Sequence, residues 1–123
     1  MSERAEPDVK LAEKRRVHRQ ALSRTLDEIT ARLAQHGDVE RAILFGSYAR
    51  GQEDLFTDLD LVIVMRSGED FVNRTAQMYA YLAPEVDVDL LVYTPAEFEA
   101  QRRRRFLRQA LQEGRVIYEK QRP

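Results

Sequence analysis

The sequence predicts an α/β (α+β) domain in which a small β-sheet is flanked by helices. Helix-like and strand-like patterns of apolar residues alternate along the chain from residue 9 to residue 118. The two clearest strands, about 39–45 and 58–65, are nearly continuous apolar runs, which require cover on both of their faces. Periodicity alone leaves the order of the strands in the sheet open.

The first predicted element is an amphipathic helix over residues 9–36. Apolar residues recur there at three- and four-residue steps, and Gly37 ends the pattern. The apolar stripe consists of Val17, Ala21, Leu22, Leu26, Ile29 and Leu33. This stripe is compatible with packing on the sheet of its own chain or on another subunit. His18 and His36 have no histidine partner at metal-binding spacing and are expected to be structural or solvated.

The later elements are shorter. After the strand at about 39–45, further strands are predicted at about 58–65, 86–93 and 116–118. Two helices are predicted between them, one over 69–83 that Pro84 closes and one that Pro95 opens and Gly114 caps. The first of these two helices is expected to bury Phe71, Val72, Met78, Tyr79 and Leu82.

The junction after the first strand, Gly46 followed by Ser47, predicts an anion-binding turn. Only a residue without a side chain lets a phosphate approach the backbone closely. If residues 47–50 begin a short helix, its first N–H groups have no intrahelical partner and are available to an anion. Arg50 is a further candidate for a phosphate contact, although an arginine at such a position is as often a solvated charge. Tyr48 is expected either to stack on a base or to pack beside the loop.

Two carboxylates stand at the head of the second strand. Because residues i and i+2 of a strand project from the same face, Asp58 and Asp60 lie side by side there. Carboxylates this close repel each other unless a cation lies between them, and Mg²⁺ suits such a site because it prefers oxygen ligands and substrate phosphates. A third acid comes from the segment 86–93, where Asp87 and Asp89 share one face. Three acids on neighbouring strands could hold two metal ions.

These residues resemble the polymerase-β-like nucleotidyltransferase superfamily, and specifically its minimal members, the MNT domains. In that family a Gly-Ser turn is followed by about ten residues and then by Asp-x-Asp. Here Gly46 and Ser47, ten intervening residues and the pair Asp58 and Asp60 match without a gap. A later aspartate of the family precedes a short apolar run and a Thr-Pro-x-Glu-Phe stretch, which selects Asp89. The resemblance covers about residues 39–119.

The resemblance implies the polymerase-β-like fold, with a small mixed sheet, and a magnesium-dependent nucleotidyltransferase. The catalytic residues and the ligands of one or two Mg²⁺ ions would be Asp58, Asp60 and Asp89. The nucleotide would be bound by Gly46, Ser47 and Arg50. The substrate would be ATP or another NTP, whose α-phosphate is attacked while pyrophosphate leaves.

The resemblance also implies that the acceptor is a separate molecule. Larger relatives add domains that hold tRNA, DNA or an antibiotic, and no such domain fits in this chain. Minimal members often pair with a small helical HEPN protein in toxin–antitoxin modules, where the nucleotidyltransferase transfers AMP to the toxin. We therefore expect an antitoxin with a HEPN-like partner. The alternative is a module of the same fold that binds a nucleotide or a partner without chemistry, and the presence of all three acids favours the enzyme.

Length and composition set further limits. The 123 residues are expected to form one domain (1–123), with the N-terminal helix at 9–36 and a catalytic core at 39–119. A net charge of −1 argues against a dedicated nucleic-acid binder. Salt-dependent RNA binding would rest on Arg102 to Arg105, which are expected to point in all directions around a helix. The absence of cysteines, of a long apolar stretch and of a secretion signal predicts a cytoplasmic protein without membrane contact. The sequence leaves the oligomeric state open.

Overall fold

The computed structural model describes residues 2–52 and 57–121, with side chains from residue 9 onward. Five helices and four strands lie in this part of the chain. The helices are α1 (Ser2–Gln35), α2 (Gly46–Ala49), α3 (Phe71–Leu82), α4 (Pro95–Gln101) and α5 (Arg105–Glu113). The strands are β1 (Val39–Phe45), β2 (Leu59–Met65), β3 (Val88–Tyr93) and β4 (Arg115–Glu119). None of the helices within these ranges is long and apolar enough to cross a membrane.

The four strands form one mixed sheet in the order β3-β2-β1-β4. Strand β1 pairs antiparallel with β2 and with β4, whereas β2 and β3 are parallel. This architecture confirms the predicted small mixed sheet flanked by helices. The predicted bounds of β1 agree with the structure, and those of the other strands differ by at most two residues at each end.

The sheet is covered on both faces, as the continuous apolar strands predicted. On one face, Leu59, Leu61, Ile63 and Met65 of β2 pack with Leu22, Leu26, Ile29 and Leu33 of α1 and with Met78 and Leu82 of α3. On the other face, Ile43, Val62 and Val64 pack with Phe98 of α4 and Leu107 of α5. Full burial of each such side chain stabilises the fold by about 1.5–3 kcal/mol. The face of Val62 and Val64 is also the face from which Asp60 projects.

Among the side chains of α1 that the structure describes, the large apolar ones from Leu22 onward pack in the core. Leu22, Leu26, Ile29 and Leu33 lie in the interior, whereas Val17, the first residue of the predicted apolar stripe, is 52% exposed. The helix also begins earlier than predicted, at Ser2. The stripe packs on the sheet of its own chain, which decides one alternative that the pattern left open.

Helix α3 buries a different set of residues from the predicted one. Met78 and Leu82 are buried as expected, but Phe71, Val72 and Tyr79 are exposed. The residue that takes the interior position is Arg74, whose Nε donates to the Val92 carbonyl at 2.9 Å and whose Nη1 donates to the Glu69 carbonyl at 3.1 Å. Its other nitrogen pairs with the Glu97 carboxylate. A buried guanidinium is tolerated here because its donors have partners.

The predicted helix that begins at Pro95 is two helices. Thr94 caps α4 with a capping box in which its hydroxyl accepts from the Glu97 N–H and the Glu97 carboxylate accepts from the Thr94 N–H. The chain then leaves the helical path at 102–104 and resumes as α5, which ends at Gly114 as predicted. The prediction that Arg102 to Arg105 surround one helix is therefore wrong. All four arginines are exposed at the break between α4 and α5.

Candidate active site

The first part of the site is the junction between β1 and α2. Gly46 has φ +78°, and a Cβ built on it would lie 2.1 Å from Oδ2 of Asp60. Both the positive φ and this close approach require glycine. The chain then forms the single helical turn α2, one residue earlier than the predicted 47–50. The junction therefore brings the Gly46 backbone directly against the carboxylate of Asp60 in β2.

The second part of the site is a row of acids at the start of two parallel strands. Asp60 is the second residue of β2 and is aligned with Asp89 of β3, while Phe45 at the end of β1 is its partner on the other side. Asp58 directly precedes β2. The structure thus brings together Gly46, Asp60 and Asp89, with Asp58 beside them. Asp87 lies before β3, and its carbonyl accepts the Leu59 N–H at 3.2 Å.

Burial and mutual repulsion perturb two of these acids. Burial, followed by the charge of Asp89 and a hydrogen bond with it, raises the pKa of Asp60 from 3.8 to about 6, and the opposing effect of Arg50 is smaller. Burial, then the charges of Asp87 and Asp89, also raises the pKa of Asp58, and His18 acts in the opposite direction. Ionisation of these carboxylates is unfavourable without a compensating cation. Their cluster is therefore suited to bind one.

The chemistry of the donor set fits Mg²⁺. In the described parts of the chain, no three acidic, histidine or cysteine side chains are gathered closely enough to enclose a metal ion as they stand. Asp58, Asp60 and Asp89 nevertheless offer carboxylate oxygens whose charges interact. Mg²⁺ commonly takes only one or two protein carboxylates and completes its shell with water and substrate phosphates. A preformed cage of three ligands is thus not required for these residues to bind it.

The residues that follow Gly46 have protein contacts of their own. Arg50 is exposed and pairs with the Glu113 carboxylate at 3.2 Å, so a phosphate would compete with that pair. A shallow cavity of about 230 Å³ beside Gly46 is lined in part by Arg50 and Phe106. Tyr48 is half-buried and packs against the core below the sheet, which favours packing over base stacking. Ser47 is half-buried within α2.

A groove on the other side of Asp58 was not predicted from the sequence. It has a volume of about 760 Å³ and runs between α1 and the segment that leads into β3. The lining residues are Glu13, Lys14, Val17, His18, Ala21, Asp58, Glu85, Val86 and Asp87. His18, expected to be structural or solvated, is half-buried here, with Nε2 2.9 Å from the Thr57 carbonyl oxygen. In the sequence, the only sign that His18 is buried is its position three and four residues before Ala21 and Leu22. That spacing does not reveal Thr57 as its partner, because Thr57 is 39 positions away.

The comparisons with known proteins agree with this geometry. The sequence profile described as "Polymerase beta, Nucleotidyltransferase" matches residues 27–123, most of the chain. The chain belongs to the polymerase beta nucleotidyltransferase family. A relative of this nucleotidyltransferase from Methanocaldococcus jannaschii carries the name "Putative protein adenylyltransferase". The two are 34% identical over 82 residues, which cover 67% of this chain and 81% of the relative.

Two solved structures share the fold of this nucleotidyltransferase. One is a crystal structure from Sulfolobus solfataricus described as a "putative nucleotidyltransferase", with a TM-score of 0.57 and 16% identity over 82% of this chain and 86% of that one. The other is described as a toxin-antitoxin with AMP-PNP, with a TM-score of 0.55 and 20% identity over 78% of this chain and 74% of that one. At these identities the likeness establishes the fold, which confirms the polymerase-β-like architecture.

Proposed function

We propose that this nucleotidyltransferase moves the NMP group of an NTP, with AMP from ATP as the leading case, to a hydroxyl group of a separate protein. The observation that carries the proposal is the alignment of Asp60 with Asp89 directly against the Gly46 backbone. That arrangement places metal-type ligands beside a backbone that a phosphate can approach. The name of the Methanocaldococcus relative supports both the adenylyl group and a protein acceptor.

In this proposal Asp58, Asp60 and Asp89 hold one or two Mg²⁺ ions within the catalytic core 39–119. When bound, Mg²⁺ would neutralise phosphate charge and lower the pKa of the acceptor hydroxyl. Gly46 and Ser47 position the β- and γ-phosphates, and Arg50 joins them if it leaves Glu113. The hydroxyl oxygen forms a bond to the α-phosphorus, and the bond to the pyrophosphate oxygen breaks. The hydroxyl proton goes to water when Asp89 holds a metal ion; in the alternative, Asp89, the exposed acid of the three, is the general base that takes it.

The groove beside Asp58 supports a protein acceptor over a nucleic acid. The groove reaches Asp58 from the side of α1, whereas the cavity at Gly46 lies toward α5. A nucleotide and an acceptor can therefore approach the acids from different directions. The charged residues that line the groove are Glu13, Asp58, Glu85 and Asp87 against Lys14 and His18. Glu13 and Glu85 pair with Arg16 and Arg24, so a small excess of negative charge is left at Asp58 and Asp87. This excess disfavours a phosphate backbone and suits a protein segment with basic residues.

The partner we propose is a HEPN-like toxin, which would make this nucleotidyltransferase an antitoxin. Support comes from the similar fold of the protein described as a toxin-antitoxin with AMP-PNP. The ten-residue spacing between the Gly-Ser turn and the paired aspartates resembles that of MNT antitoxins.

Label transfer in an extract of the source organism tests this proposal. The native protein, Asp60→Asn and the surface control Asp27→Asn are each incubated with Mg²⁺ and α-phosphate-labelled ATP. The native protein and the control should label a protein band. Asp60→Asn should label that band at least about 100-fold more slowly, since metal binding lowers the barrier by several kcal/mol. Ribonuclease-sensitive label would contradict the protein acceptor. No label with any variant, while Mg²⁺ and ATP still bind and a partner co-purifies, would indicate the non-catalytic module.

A further inference from the structure

We propose that His18 is a positioning residue for Asp58, so that α1 takes part in shaping the metal site. This inference rests on the proposed role of Asp58 as a metal ligand. His18 follows a run of exposed residues, 9–17, in α1, yet it is half-buried against the segment that enters β2. It also lies ahead of residue 27, where the match to the family begins. Its partner Thr57 lies within the matched region, so the contact joins the part of α1 before that region to the family-matched core.

The hydrogen-bond geometry fixes the role of the ring. Nε2 of His18 is 2.9 Å from the carbonyl oxygen of Thr57. A carbonyl oxygen has no proton to give, so Nε2 must carry the hydrogen and donate it. The acceptor belongs to the peptide group that joins Thr57 to Asp58. The imidazole thus fixes the orientation of the peptide plane from which the Asp58 backbone starts.

Asp58 is held from two sides by this arrangement. On the side before it, His18 fixes the Thr57 carbonyl. On the side after it, the Leu59 N–H donates to the Asp87 carbonyl at 3.2 Å. With both neighbouring peptide groups fixed, the Cα–Cβ direction of Asp58 is set before β2 begins. Loss of the His18 donor releases one of these two constraints and lets the carboxylate turn away from Asp60.

The surroundings of His18 place further charges near the same carboxylate. The groove that contains the ring also contains Glu13, Lys14, Glu85 and Asp87. Glu13 pairs with Arg16, and Glu85 lies 3.5 Å from a nitrogen of Arg24. The ring therefore stands between these charged side chains and the segment that carries Asp58, and its contact with that segment is the hydrogen bond to the Thr57 carbonyl.

The test measures metal binding apart from catalysis. Mn²⁺, which is detectable by electron paramagnetic resonance, is titrated at pH 7.5 in the presence of AMP-PNP. The proteins are the native chain, His18→Ala, His18→Gln and the control His36→Gln. Glutamine places an amide N–H close to where Nε2 of histidine stands, so it can restore the bond to Thr57. Urea unfolding of each variant is followed in parallel to separate metal affinity from stability.

We expect His18→Ala to weaken Mn²⁺ binding about 10-fold, the lower end of what loss of an orienting partner costs a metal site. His18→Gln should recover most of that affinity, and His36→Gln should bind as the native protein does. Two results would overturn the inference and leave the proposed function intact. One is an equal Mn²⁺ affinity in the native protein and His18→Ala, and the other is a Mn²⁺ affinity of His18→Gln no higher than that of His18→Ala. Failure of the native protein to bind Mn²⁺ with AMP-PNP would overturn both.

Discussion

Replacement of Asp60 by asparagine is expected to stabilise the metal-free protein while it abolishes activity. Asp60 lies between Asp89 and the Gly46 backbone, where burial and a like charge oppose its ionisation. Asparagine keeps the shape and removes the charge, and its amide can donate to the Asp89 carboxylate. A carboxylate that serves the fold would show the opposite result, a loss of stability on substitution.

The magnitude follows from the pKa of Asp60, which is raised from 3.8 to about 6. One pKa unit corresponds to about 1.4 kcal/mol, so the full shift amounts to about 3 kcal/mol. Because the side chain is partly open to solvent, we take about half, 1–2 kcal/mol. The pKa is higher in the folded state, so ionisation costs stability as the pH increases. The advantage of Asp60→Asn should be absent near pH 4, grow between 4 and 6, and stay constant above 6.

Urea unfolding with a metal chelator, at steps between pH 4 and 8, measures this difference. The control Asp27→Asn removes an exposed carboxylate of α1 and should leave stability within about 0.5 kcal/mol. Addition of Mg²⁺ and AMP-PNP should stabilise the native protein and reverse the order of the two stabilities. A lower stability of Asp60→Asn at pH 7.5, or a difference that does not change with pH, would refute the reasoning.

Three further predictions follow from the same geometry. Gly46→Ala and Gly51→Ala both force alanine to a positive φ, at a cost of about 1–2 kcal/mol. Of the two, only the Cβ at position 46 meets Asp60, so label transfer should be lost in Gly46→Ala and kept in Gly51→Ala. Equal activities of the two variants would contradict the close approach of Gly46 to Asp60. Mg²⁺ binding at pH 6 should release protons from Asp60, detectable as a calorimetric heat that depends on the buffer, and an unchanged heat across buffers would refute its raised pKa. Arg74→Ala should destabilise the protein by about 2–4 kcal/mol in urea unfolding, because it leaves the carbonyl groups of Val92 and Glu69 without this donor. The exposed control Arg102→Ala should cost less than about 1 kcal/mol.

The sequence predicts correctly those strands and helices whose bounds depend on short-range patterns of residues. Strand β1 ends in the apolar run 42–45, which a glycine follows, and its predicted bounds agree with the structure. Leu61 and Val62 of β2 lie on opposite faces of the sheet, as the fixed period of two of a strand requires. Side-chain burial in α3 was predicted less well, since a helix can be apolar on a face that the sheet does not reach. Phe71 and Val72 lie on such a face.

Long-range contacts account for the other differences. Arg74 occupies the core because the nearby Glu69 carbonyl and two distant groups, the Val92 carbonyl and the Glu97 carboxylate, accept from it. The two distant partners are not visible in a local pattern. The interruption between α4 and α5 likewise contains no proline or glycine from which it could be predicted. His18 received a structural or solvated interpretation because its partner is 39 residues away.

The candidate site was more predictable than the core because its residues are close in sequence. The glycine of the Gly-Ser turn and the second acid of the pair are adjacent in space because β1 and β2 are antiparallel neighbours, with Phe45 opposite Asp60. The choice of Asp89 over Asp87 came from the family pattern, and in the structure Asp89 aligns with Asp60. The catalytic and binding roles of these residues stay predictions. The groove beside Asp58 depends on where α1 crosses the sheet, which no motif in the sequence specified.

The fates of the α- and γ-phosphates of ATP test the central claim most directly. Once the acceptor protein is purified, it is incubated with the native nucleotidyltransferase, Mg²⁺ and ATP labelled at either the α- or the γ-phosphate. Nucleotidyl transfer to a protein predicts that the α-label becomes covalently attached to the acceptor and that the γ-label leaves as pyrophosphate, in equal amounts. Attachment of the γ-label, or its release as inorganic phosphate without any α-label on the acceptor, would contradict the account.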